Sequence, residues 1–137
     1  MSIALGVANI AFKEIRFGTN ARDTNNAFFA ADTGAECALF YDKSDPAKNA
    51  FIGTATTITC AENSFPTPAP SPANFWKFTI FGLGNGGQGC AIVTVDKTIS
   101  TQTAIISKGY NTGGNVAGAC VPVANSTERQ IELNYSN

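Results

Sequence analysis

The chain has 137 residues, 44% apolar and 14% charged, with a formal net charge of −1 and no histidine. That length suits one β domain over residues 1–137, burying about two-thirds of the surface its unfolded chain would expose, and the composition excludes a disordered polyelectrolyte. No basic field is present to neutralise phosphates, so nucleic acid is not an expected partner; without histidine, Ser-His-Asp, Cys-His and histidine-based metal chemistry are excluded.

The N-terminal MSIALGVANIAFKEIRF lacks the basic start and small-residue cleavage site of a secretory leader. The expectation is a mature chain starting near Ser2, its leader gone and Met1 added. No apolar run reaches the roughly 20 residues of a membrane span. Within the segment, IAFKEIRF (10–17) reads as a first strand, followed by NAFFAA (26–31) and ECALFY (36–41). Between them lies Asp32-Thr33-Gly34, the active-site tripeptide of aspartic proteases, which resembles that family over about ten residues and would imply a homodimer sharing a proton between two Asp32 carboxyls. The plainer reading is a turn between two strands.

KSDPAKNA (43–50) is the one helix-tolerant stretch, where Ser44 or Asp45 caps a turn starting at Pro46. Asp42 and Asp45 are too sparse a ligand set for calcium and belong to that capped turn. FIGTATTITC (51–60) alternates as a strand. After it, FPTPAPSP in 65–73 places Pro66, Pro68, Pro70 and Pro72 at every second position. This is not the P-x-x-P spacing of a polyproline ligand; it makes a stiff surface loop between the Cys60 strand and the Trp76 strand, pre-ordered for contact with a partner.

NFWKFTIF (74–81) puts Trp76, Phe78 and Ile80 on one face, so Trp76 is expected in the core and Phe75, of opposite parity, is the expected exposed aromatic. Gly82-Leu83-Gly84-Asn85-Gly86-Gly87 matches the dinucleotide fingerprint, but the next residues form a strand instead of a helix, so it reads as a connection between antiparallel strands. CAIVTVD (90–96), TAIISKG (103–109) and RQIELNY (129–135) complete the set, with sequons at Asn125 and Asn134. About eight short strands imply an all-β barrel or sandwich. No catalytic residue, cofactor or metal is expected.

Four cysteines, Cys37, Cys60, Cys90 and Cys120, lack any Cys-x-x-Cys pair. They read as two disulfides of an exported protein, the other reading being four buried thiols in a cytosolic one. Three pairings are possible; consecutive strands tend to be neighbours, which favours Cys37–Cys60 and Cys90–Cys120.

FKEIRFGTNA, the segment ending in Cys37, and TCAENSF (59–65) together resemble the Alternaria major-allergen-like family of small secreted fungal proteins, and the chain's character is similar to the hypersensitive-response-inducing proteins of the rice blast fungus. Cys90 and Cys120 stand farther apart than the family's last two cysteines. The resemblance implies a non-enzymatic effector or elicitor in the plant apoplast, bound by a host surface receptor or apoplastic protein. The alternatives are a carbohydrate-binding module using Phe75 and Trp76, and the protease centred on Asp32.

Overall fold

A computed structural model describes residues 20–44 and 47–137. Its first element is a helix, α1 (Asn20–Lys43), about 36 Å long. NAFFAA and ECALFY, expected as strands, both lie inside it. Their Phe-Phe and Leu-Phe-Tyr runs imitate a strand, but the buried positions are Thr24, Ala27, Ala30, Ala31, Gly34, Ala35, Ala38 and Asp42. Those steps of three and four residues are the helical period. Five of these eight are alanine, the strongest helix former yet only weakly apolar, so the stripe raises little hydrophobic contrast. Asp23 in the first turn and Lys43 in the last complement the helix dipole.

The strands follow. β1 (Thr57–Cys60) and β2 (Asn63–Pro66) form a hairpin through a two-residue turn in which Ala61 and Glu62 are both left-handed (φ 47° and 56°). β3 (Phe75–Leu83), β4 (Gly89–Asp96), β5 (Gln102–Tyr110) and β6 (Glu128–Ser136) make one antiparallel sheet in that order. All four are expected strands, β3 and β6 from period-two alternation and β4 and β5 as short runs rich in Val, Ile and Thr. Of FIGTATTITC only the last four residues are a strand, and IAFKEIRF lies outside the described residues.

The expected β-rich, antiparallel character holds, in two sheets, but no barrel closes: a helix lies over an open four-stranded sheet, and the described residues hold six strands instead of about eight. The register sets Trp76 opposite Val95, Phe78 opposite Val93 and Ile80 opposite Ala91. This face is covered: α1 lies over β4, β5 and β6, while Phe51 and the β1–β2 hairpin cover the β3 side, with Phe51 edge-on to Trp76 (centroids 5.4 Å apart) and Phe65 against Phe78 (5.5 Å). The other face carries Lys77, Thr94, Lys108 and Glu132 and faces solvent.

Two glycines let α1 sit this close. A Cβ on Gly109 would stand 2.1 Å from the Ala27 carbonyl oxygen and 2.2 Å from the Ala31 nitrogen. One on Gly34 would stand 2.3 Å from Ser107 Oγ and 2.7 Å from Val93 Cγ2. Helix and strand backbones thus touch, and the small-residue stripe is the condition for it.

The disulfides are Cys37–Cys60 and Cys90–Cys120, with Cα atoms 5.9 and 5.5 Å apart. The pairing is the favoured one, though the elements joined differ from those expected. The first ties α1 to the end of β1, and the second ties β4 to the 111–127 connection.

Candidate functional site

Asp32-Thr33-Gly34 lies mid-helix, with Gly34 against the sheet and the Thr33 hydroxyl donating to the Phe29 carbonyl (2.9 Å). It is neither a turn nor a catalytic loop, and the geometry that the protease alternative required is missing. Asp45 and Pro46 lie outside the described residues; Ser44, expected alongside Asp45 as a cap for a turn starting at Pro46, bonds back to the Phe40 carbonyl through its nitrogen (3.1 Å) and its hydroxyl.

The proline segment is a surface loop, but it leaves from β2, not directly from the Cys60 strand. Pro66 ends β2. The Thr67 nitrogen and hydroxyl donate to the carbonyls of Thr56 (2.9 Å) and Ala55 (3.1 Å), while at the far end the Ser71 nitrogen donates to the Phe75 carbonyl (2.8 Å). Pro66, Pro70 and Pro72 are exposed and Pro68 is half-buried. Phe75 has the expected parity but is also half-buried. Trp76 is 5% exposed, so it supplies no sugar-stacking platform. Asn125 and Asn134 are exposed, and Asn134 donates to Glu132 Oε1 (3.0 Å).

The densest polar cluster was not foreseen as a site. Asp42, in the last turn of α1, meets Lys97 from the β4–β5 corner, with Lys97 Nζ 2.7 Å from Asp42 Oδ1 and the two side chains 9% and 3% exposed. Lys97 Nζ also donates to Thr103 Oγ1 (2.8 Å), whose hydroxyl donates to Asn137 Oδ1. The Tyr135 hydroxyl, from β6, donates to Asp42 Oδ2, and Lys43 Nζ sits 4.3 Å from the centre of the Tyr135 ring. Asn49 closes the turn after α1, donating to the Asp42 carbonyl (2.7 Å) and accepting from the nitrogens of Phe51 and Ile52. A depression of about 500 Å³, lined by Asn74, Ser100 and Asn137 among others, opens beside the pair. The alternation of Ile131, Leu133 and Tyr135 already put Tyr135 on the inward face; nothing in the sequence joined it to Asp42 or Lys97.

Burial, with the hydrogen bond to Asp42 and its charge, pushes the Tyr135 hydroxyl far above the usual phenol range. Burial and Glu128, hydrogen-bonded at 2.6 Å, push Tyr110 up to about 12. Both groups hold their proton more tightly when folded, so their contribution to stability is complete below about pH 10, the unfolded value, and is lost as pH rises from there. Melting temperature is expected to fall above about pH 10. Tyr135→Phe should cost about 2 kcal/mol at neutral pH, the lost bond to a carboxylate, and flatten the alkaline decline; an unchanged alkaline limb would dissociate Tyr135 from it.

Outside this cluster, α1 turns two aromatics outward, Phe29 at 52% and Phe40 at 57% exposure. Phe40 borders a shallow depression of about 530 Å³ with Glu36, Leu39 and Lys43. Phe29 borders another of about 520 Å³ with Asn63, Phe81 and Leu83. No helix among the described residues is long and apolar enough to cross a membrane. Comparison with protein-family models, curated proteins and solved structures yields no match.

Proposed function

We propose that the protein is an exported, non-catalytic contact domain that associates with copies of itself through the outward face of α1. The observation that carries this reading is the pair Phe29 and Phe40. They are 11 positions apart, which is three helical turns and about 16 Å, so they stand on one face of α1. Arg22, Glu36 and Lys43 lie along the same exposed ridge, giving two aromatic knobs with charges of both signs between and beyond them. Burying an aromatic of this size recovers about 2 kcal/mol relative to leaving it in water, and a helix ridge is a natural element for packing between subunits. Two disulfides fit an oxidising compartment.

Sedimentation across a concentration series is expected to show association that Phe29→Ser together with Phe40→Ser abolishes while the circular dichroism spectrum is kept. A wild type that stays monomeric up to its solubility limit would overturn the reading.

A second reading keeps the elicitor that TCAENSF suggests, with the plant receptor meeting the Pro66–Pro72 loop. It is favoured by the exposure of Pro66, Pro70 and Pro72 on a segment bonded at both ends. Leaf infiltration tests it, and a folded protein that evokes no defence response removes it.

A further inference from the structure

We infer that the carboxylate of Glu62, at the tip of the β1–β2 hairpin, pairs with Lys43 of a second copy of the chain. The inference rests on the self-association proposed above and names, outside α1, the group that selects which aromatic meets which. Phe29 and Glu62 line one depression, together with Asn63 and Phe81. Phe40 and Lys43 line the other. Glu36 lies four residues before Phe40 and Lys43 three after it, so a copy laid with its Phe40 beside Phe29 brings an ammonium within the same face. Laying like on like would set Glu62 against Glu62, or Lys43 against Lys43. Only the unlike pairing, Phe40 beside Phe29, joins opposite charges.

The turn that carries Glu62 holds it in place. Ala61 and Glu62 both take left-handed φ, 47° and 56°, where Asn and Gly are the residues that sit with least strain. Both ends of the turn are tied: Cys60 is bonded to Cys37 of α1, and the Asn63 amide exchanges hydrogen bonds with the Phe81 backbone. An Asn-Gly turn would relieve the strain and leave no charge here; the chain places a carboxylate instead. Glu62 is exposed and forms no ion pair among the described residues. Lys43 is exposed as well, its ammonium 4.3 Å from the centre of the Tyr135 ring. Two charges fixed before contact lose little freedom on pairing.

The test is sedimentation of the disulfide-bonded chain across a concentration series, with circular dichroism to verify the fold of each variant. Glu62→Lys and Lys43→Glu should each raise the concentration needed for association about fivefold or more, the worth of an exposed ion pair turned into a like-charge one. Glu62→Lys combined with Lys43→Glu in one chain should return it to the wild-type value, because the opposite charges meet again with their places exchanged. Added salt should weaken the wild type more than Glu62→Gln. If Glu62→Lys associates as the wild type does while Phe29→Ser with Phe40→Ser still abolishes association, this pairing is wrong and the α1 contact stands. A double reversal no tighter than either single one also overturns the pairing, and a wild type that stays monomeric removes both readings. Should Glu62→Lys fail to fold, Lys43→Glu and the salt comparison decide.

Discussion

Gly109→Ala is expected to destabilise the fold strongly, by forcing α1 away from β5. The new Cβ meets the Ala27 carbonyl oxygen and the Ala31 nitrogen at 2.1 and 2.2 Å. Both are backbone atoms in the middle of a 24-residue helix, so no side-chain rotation relieves the overlap, and α1 must lift from β5 along its length. Overpacking of this kind costs about 3 kcal/mol or more, which at this chain length lowers the melting temperature by about 10 °C. Thermal denaturation followed by circular dichroism checks it. If Gly109→Ala melts within a degree or two of wild type, the backbone contact is looser than described.

The second large effect is expected from the disulfides. Their two loops, with sequence separations of 23 and 30 residues, do not overlap. In the chain-entropy account, closing them contributes about 3.4 and about 3.6 kcal/mol. Together these approach the whole stability of an ordinary domain, about 5–15 kcal/mol. Replacing Cys37 and Cys60 by serine should lower the urea midpoint by about 1–3 M, and replacing Cys90 and Cys120 should do as much, because the linked segments share no residue. Full reduction is expected to leave the chain largely unfolded at 37 °C. Reduced protein with an unaltered midpoint would assign the stability to the helix–sheet core alone.

What the sequence disclosed follows from the size of its side chains. β3 and β6 are legible because Trp76, Phe78 and Ile80, and Ile131, Leu133 and Tyr135, alternate with Lys77 and Thr79 and with Glu132 and Asn134, while β4 and β5 show as short runs rich in Val, Ile and Thr. The same contrast placed Trp76 in the core and turned the glycine run at 82–87 into a connection between β3 and β4. α1 was illegible for the opposite reason. Its buried face is mostly alanine, with Gly34 and the polar Thr24 and Asp42, its largest residues point elsewhere, and the two aromatic clusters are short enough to pass for strands. With NAFFAA and ECALFY read as strands, Asp32-Thr33-Gly34 reads as a turn between them and the strand count reaches that of a barrel. The cluster around Asp42 escaped because its members come from α1, the β4–β5 corner and β6, elements that only tertiary packing brings together. Phe29 and Phe40 escaped with the helix that aligns them.

Asn63 carries one more implication. Its side-chain amide donates to the Phe81 carbonyl at 2.9 Å and accepts from the Phe81 nitrogen at 3.1 Å, the same reciprocal pair that a neighbouring strand would form. One amide therefore stands in for a strand at the margin of β3, and the Gly82 nitrogen next to it is taken by the Gly114 carbonyl (2.9 Å). At the opposite margin, β6 has no strand neighbour among the described residues. At Phe81 and Gly82, by contrast, the outer edge of β3 is closed to a further strand by a side chain and a loop carbonyl instead of by a paired strand.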